Sequence, residues 1–273
     1  MRGWPIATLL GCVSACSLVT DLSGLTSNDA VPSDGGSGSD SAVARDGGGD
    51  GNVGEADGSV TSDAGTPALP RLVQNASATL GTAKLALTTT FAPTVEGDLI
   101  VAAVTINSNA AASVLSITDN APGGSNTYVT AGQRSTDTSC DDVAEIWYAK
   151  DIRAGATSLT VVSSTAVRMD VWALELSGLD RMNPLDKGAT TSNQGLSTVV
   201  TAPSVPATNN AVVISTACTC GNISGVKAGN PFIALNVQTG ENAAYLITST
   251  AGTFGAAWSS TNDTWNASTV SFR

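Results

Sequence analysis

The 273-residue chain contains no histidine. That absence removes every site that needs an imidazole, including Ser-His-Asp and Cys-His hydrolases and His-ligated zinc enzymes. Carboxylates remain, and a pair of them can run glycoside hydrolysis without a histidine. Three groupings have the spacing for it: Asp141-Asp142-Glu145, Asp170 with Glu175, and Glu241 with Asp263. Most of these acids fall in turn-forming sequence, where Asp accepts hydrogen bonds from backbone amides. Glu175 differs, because it lies in the apolar run Val171–Leu176. A carboxylate buried there needs a partner, and Arg168 or Lys150 would serve. No grouping rises above turn capping. The sequence therefore predicts a non-enzymatic protein without a cofactor, with a carboxylate-dependent glycosidase or polysaccharide lyase as the alternative.

Of the five cysteines, Cys12 and Cys16 lie near the N-terminus. Cys140, Cys218 and Cys220 remain for the body of the chain. An exported protein meets an oxidising compartment, so one disulfide is expected, joining Cys140 to either Cys218 or Cys220. It would close a loop of roughly 80 residues, worth on the order of 4 kcal/mol in the chain-entropy model. A Cys218–Cys220 bond would be strained. Three cysteines without histidine make a poor zinc site, so no metal is predicted.

Aromatic side chains offer a second kind of chemistry, stacking against sugars. Trp147, Trp172, Tyr245, Trp258 and Trp265 all fall in candidate strands. Strand parity places Trp265 on the face opposite Val270 and Phe272, which predicts exposure. Trp265, with Asn262 and Asp263 in the adjoining turn, is the expected ligand platform.

The elements that must position these groups are strands. Short runs rich in Val, Ile, Thr, Leu and Ala fall at 72–79, 84–90, 98–106, 112–118, 127–132, 142–149, 157–163, 167–176, 197–202, 210–217, 231–237, 243–249, 254–260 and 265–272. Between them sit turn signals such as Glu96-Gly97-Asp98, Pro122-Gly123-Gly124 and Gly229-Asn230-Pro231. Such spacing predicts an all-β protein, a single large antiparallel β-sandwich over 71–273. One helical turn is expected near Arg181–Leu185. In 142–149, Val143, Glu145 and Trp147 share one face and Ala144, Ile146 and Tyr148 the other. Neither face is polar, so both are expected to be covered.

Several pieces in order carry a resemblance: Phe91-Ala92-Pro93-Thr94 before Gly97-Asp98-Leu99-Ile100-Val101, then Ile117-Thr118-Asp119, then Trp147-Tyr148-Ala149-Lys150-Asp151-Ile152, then Glu175-Leu176-Ser177-Gly178-Leu179-Asp180. Together they resemble β-sandwich domains of secreted bacterial surface proteins of unassigned function. The resemblance implies a jelly-roll-like sandwich and an adhesive or carbohydrate-contacting role. It implies no catalytic residue.

The N-terminus supplies the address. Arg2 precedes the apolar run Trp4–Val13, far short of the ~20 residues of a spanning helix. Residues 1–15 read as a signal peptide. Val13-Ser14-Ala15-Cys16 resembles the lipobox of bacterial lipoproteins, which implies cleavage before Cys16 and lipid on its thiol. Ser17 in place of Asp favours the outer membrane or cell surface. Residues 16–70 follow as a Gly/Ser/Asp-rich tether, expected to be disordered. From 17 to 70 nine acids face one base, so −8 of the chain's net charge of −11 sits there. The fragments Asp46-Gly47-Gly48-Gly49-Asp50-Gly51 and Glu55-Ala56-Asp57-Gly58 do not keep the register of a calcium loop. Such acidity argues against nucleic acid as a partner. The expected partners are the membrane, through lipid, and a polysaccharide or another surface protein. Intact-mass analysis of the membrane fraction should find an acylated Cys16 and no residues 1–15, and Cys16→Ala should release the protein from the membrane.

Overall fold

The computed structural model describes residues 69–107, 109–235 and 240–273. The expected signal peptide, the lipobox-like segment with Cys16, and the expected tether as far as residue 68 lie outside the described residues. Every regular element among those described is a β-strand. Residues 71–177 hold seven: β1 (Arg71–Thr90), β2 (Leu99–Asn107), β3 (Val114–Asp119), β4 (Val129–Thr130), β5 (Ser135–Asp137), β6 (Asp142–Ala149) and β7 (Ser158–Ser177). They form one antiparallel sheet in the order β1-β7-β2-β6-β4, with β3 on β7 and β5 on β6.

The rest of the chain repeats this plan. It contributes β8 (Leu185–Thr201), β9 (Val205–Ala207), β10 (Ala211–Thr219), β11 (Ile223–Val226), β12 (Ile233–Ala234), β13 (Glu241–Thr248), β14 (Gly252–Phe254) and β15 (Ala257–Phe272). The second sheet runs β11-β15-β10-β13-β12, with β8 on β15, and β9 and β14 pair separately. In each half a long first strand pairs with a long last strand: β1 with β7, and β8 with β15. The last strand then pairs with a nine-residue strand, β2 or β10, which pairs in turn with β6 or β13. The early part of each last strand also takes a short extra partner, β3 or β11. Each large sheet is thus drawn from one contiguous half of the described residues, and the two share the pairing order of their main strands.

The fold follows from apolar residues on both faces of both sheets. Alternate residues of β2, Leu99, Val101 and Ala103, pack with Trp172, Leu174 and Leu176 of β7 against Val212, Ile214, Val270 and Phe272 of the other sheet. The rings of Tyr148 and Phe272 meet edge-on across this layer, 5.4 Å apart. The intervening residues, Ile100, Ala102, Val104, Met169 and Val171, belong to a second cluster on the outer face of the first sheet. A third cluster covers the outer face of the second sheet. The expected antiparallel sandwich forms, with both faces of 142–149 largely covered.

Several local expectations change. The pairs 72–79 with 84–90 and 157–163 with 167–176 each fall within one continuous strand, as do 257–260 with 265–272, while Phe254 belongs to β14. Bulges absorb breaks expected to be turns, as between Leu80 and Ala86 in β1 and between Ser259 and Trp265 in β15. Strands β5, β9 and β11, and the first part of β8, are polar or very short and carry little alternation to read. No helical turn forms near Arg181–Leu185. Asp180 instead accepts hydrogen bonds from the Met182 and Asn183 amides at 2.8 and 3.0 Å, an Asx turn that competes with the helix.

Trp265 is the main correction. Its parity is as expected, opposite Val270 and Phe272, but that face is not solvent. Trp265 is 2% exposed, in the cluster of Val200, Val205, Ile223, Phe232 and Trp258. Parity gives the face; it does not give what covers the face. Trp265→Ala should cost about 3–5 kcal/mol of unfolding free energy, measured by denaturant titration, as for other large-to-small core changes.

Candidate functional site

The inter-sheet layer changes character at one end. Here the strand faces that carry Val101 and Leu174 in the core become polar. Asp170 follows Trp172, Leu174 and Leu176 in parity along β7, and Thr105 lies opposite it on β2. Asp142 opens β6, and Asp137 pairs with it across the β5–β6 hairpin. From the other sheet come Glu241, which opens β13, with Cys218 opposite it on β10, and Asn266 of β15. Asp137, Asp142, Asp170 and Glu241 are all buried, none more than 7% exposed. Asp142 and Glu241 occupy equivalent places in the two halves, each the first residue of the strand that pairs with the half's nine-residue strand.

A cleft of about 400 Å³ opens onto this region. Asp142, Glu241 and Asn107 line it from within, and Arg168, Asn222 and the Cys140–Cys220 pair form its more exposed edge. Tight turns bring these groups together. Asp141 takes a positive φ of 58° beside Cys140 and Asp142. Gly240 has a φ of 87°, and a Cβ there would approach the Gly221 carbonyl oxygen to 3.0 Å, so the turn before Glu241 is open only to glycine. The Thr219 amide donates to the Gly240 carbonyl at 2.9 Å, locking the two loops.

The disulfide joins Cys140 to Cys220, with Cα atoms 5.3 Å apart, and so decides between the two expected partners. Cys218 is a free, fully buried thiol that donates to Asn266 Oδ1 at 3.1 Å. Burial, then the charges of Asp142 and Glu241, push this thiol well above its usual range, so it is not a nucleophile. An Asp263 carboxylate oxygen lies within 4.8 Å of both disulfide sulfurs. With those sulfurs bonded to each other, this group is not a metal site.

Electrostatics mark Glu241 out. Burial first, then the charge of Asp170, raise its pKa to about 8, although a hydrogen bond from Asn107 opposes the shift. Asp170 is raised too, chiefly by burial, against hydrogen bonds with Thr79 and Glu241. The two carboxyl groups lie close enough for each to influence the other's protonation. Asp170 Oδ1, Asn107 Oδ1, Asp137 Oδ2 and Thr105 Oγ1 have no hydrogen-bond partner among the described residues.

The three spacings read from the sequence are broken up. Asp142 and Glu145 point to opposite faces of β6. Glu145 is buried in the outer cluster, accepts from Trp147 Nε1 at 3.0 Å and the Val114 amide at 3.3 Å, and is raised by burial. Asp170 and Glu175 also part by parity. Glu175 finds neither Arg168 nor Lys150. It accepts from Gln74 Nε2 at 2.5 Å and the Val95 amide at 2.6 Å. It also contacts Asp98, whose pKa rises to about 6 through burial and then the Glu175 charge. Glu241 is inside the cleft and Asp263 beside the disulfide. Asn262 is exposed, but with Trp265 in the core the expected platform does not assemble. Among the described residues, the exposed large apolar side chains are all aliphatic or Met.

Sequence spacing missed Asp170 with Glu241 because each lies in a different half. The usable signal was the repeat: Ala92-Pro93 and Ala202-Pro203 each follow the first long strand of a half. No protein-family model, curated protein or solved structure matches the chain.

The raised carboxyls set a pH dependence. Glu241 and Asp98 keep their protons in the folded state at pH values where the unfolded chain has lost them. The folded state then binds more protons, so stability falls as pH rises from about 4 to about 8. Thermal unfolding should show a lower Tm at about pH 8.5 than at about pH 5, and Glu241→Gln should flatten the upper part of that slope.

Proposed function

We propose that this protein is a non-enzymatic, lipid-anchored module of the bacterial outer membrane or cell surface that binds polysaccharide through the cleft between its sheets. The cleft carries the reading. About 400 Å³ lined by carboxyl, amide, hydroxyl and guanidinium groups suits a polyhydroxylated residue. Recognition would rest on hydrogen bonds donated by Asn107, Asn222 and Arg168 and accepted by Asp142 rather than on stacking. The signal-like N-terminus and Cys16 supply the anchor, and the acidic segment before β1 supplies the spacer. A rigid sandwich closed by a disulfide suits holding a ligand in place, because little ordering is left to do on binding.

One observation favours a second reading. Glu241, raised to about 8 by burial and then the Asp170 charge, shares the cleft with Asp142, as an acid and a base would in a glycosidase or polysaccharide lyase. Calorimetric titration of the detergent-extracted full chain with a panel of soluble polysaccharides tests both. Binding without release of reducing or unsaturated ends, weakened about tenfold by Arg168→Ala or Asn222→Ala, is the expected result. The tenfold corresponds to a lost polar contact of roughly 1.4 kcal/mol. Release of ends that disappears with Glu241→Gln would replace the binding module by the enzyme. Binding untouched by both cleft variants would place the ligand elsewhere.

A further inference from the structure

The Cys140–Cys220 bond lies where solution chemistry can reach it. Cys220 is exposed and Cys140 half-buried, whereas the free thiol, Cys218, is fully buried. Neither bonded cysteine belongs to any of the three apolar clusters, so opening the bond removes no contact from those layers. A third group faces the two sulfurs. Strand β15 is irregular on both sides of Asp263, between Ser259 and Trp265, and bulges of this kind re-aim a side chain. One Asp263 carboxylate oxygen and the two sulfurs lie within 4.8 Å of one another.

The surroundings hold these three groups in place. Asp263 Oδ1 accepts from the Thr264 amide at 3.0 Å, which orients the carboxylate. A Cβ at Gly221, next to Cys220, would approach Asp263 Oδ2 to 2.8 Å and clash with Thr261 Oγ1, so a glycine there leaves the carboxylate its room. Thr264 Oγ1 lies 2.8 Å from Cys140 Sγ and 3.2 Å from Cys220 Sγ. Bonded sulfurs carry no proton, so the hydroxyl is the donor, and it stays available to a thiolate. The ion pairs found among the described residues, Arg181 with Asp151 and Arg273 with Asp186, leave Asp263 out. Two thiolates and a carboxylate suit a thiophilic divalent cation rather than a hard one. Ligand atoms set tetrahedrally at about 2.0–2.3 Å from zinc lie less than about 4 Å apart. With the cysteine Cα atoms 5.3 Å apart, side-chain rotation reaches that arrangement. Asp263 supplies the ligand that the missing histidines cannot.

We propose that, once a dithiol has reduced the Cys140–Cys220 bond, Cys140, Cys220 and Asp263 bind one thiophilic divalent cation of the zinc class, with water as the fourth ligand. A thiolate of the dithiol attacks the exposed Cys220 sulfur, and the Cys140 sulfur leaves as a thiolate. The second thiol of the reductant then displaces Cys220 from the mixed disulfide. Two electrons have passed to the protein, the reductant is left as a disulfide, and the cation takes the place of the two thiol protons. Disulfide and cation are alternative ties between the same two segments, Cys140 after β5 and Cys220 after β10. The site does not depend on what the cleft binds.

The test titrates cobalt(II), a spectroscopic stand-in for zinc, into the detergent-extracted full chain, oxidised or reduced by a dithiol that is then removed without air. The reduced chain should take up one equivalent with sulfur-to-cobalt charge-transfer absorption, which zinc then displaces; the oxidised chain should show none. Cys140→Ser and Cys220→Ser should each abolish the absorption, and Cys218→Ser should retain it. Asp263→Asn should weaken cobalt binding at least about tenfold, since even partners outside the ligand set are worth 10–100-fold. Near-ultraviolet circular dichroism of the reduced chain before cobalt should match that of the oxidised one. A reduced chain that binds no cobalt, or that has lost its fold, overturns the proposal. So does absorption that survives Cys140→Ser and Cys220→Ser, which assigns it to other thiols. Binding unchanged by Asp263→Asn overturns the three-ligand site.

Discussion

The structure depends on the burial of one sheet against the other. Trp172, Leu174 and Leu176 from one half of the chain meet Val212, Ile214, Val270 and Phe272 from the other. Neither half could hide this face alone. Burying a large apolar side chain contributes roughly 1.5–3 kcal/mol, so this layer outweighs any single polar contact in the molecule. Because each large sheet is drawn from a contiguous half with the same pairing order of main strands, the layer works as an interface between two similar units in one chain. The outer faces then need their own cover. Short partners such as β3 and β11, and the β9–β14 pair, supply part of it.

The cleft is where that apolar layer stops. The same strand faces run on, but with Asp170, Thr105, Cys218, Asn266 and Ser268 in place of aliphatic residues. Four acids gather there from both halves, most of them behind the protein surface. Burial and mutual repulsion raise Glu241 to about 8, so the site keeps a proton at neutral pH at a cost to stability that grows as that proton is lost. A purely structural layer would have been served better by apolar residues of similar volume. The Cys140–Cys220 bond holds the two halves together beside this unfavourable cluster: Cys140 follows β5 in the first sheet and Cys220 follows β10 in the second.

Single residues show how the site and the fold divide. In sequence Glu175 stood out as an acid in an apolar run, while Glu241 did not. Glu175 is satisfied by Gln74 and the Val95 amide, one strand and one loop away, and serves to pin β1. Both acids also neighbour a carboxyl group, Asp98 for Glu175 and Asp170 for Glu241. The difference between them in the fold lies in which partner the opposite strand presents.

The sequence by itself determined the strands, their alternation, the all-β sandwich and the need for one disulfide at Cys140. These depend on neighbours two residues apart, or on a count of thiols, and both are visible in one dimension. It also placed Trp265 on the correct face. Only the tertiary structure decided what that face meets, that Cys220 rather than Cys218 takes Cys140, and that Asp170 joins Glu241. Each of those outcomes requires two segments far apart in the chain to be brought together, and the force that does so is non-directional burial spread over many residues. Periodicity records which way a side chain points; only the packed sheets fix what stands opposite it.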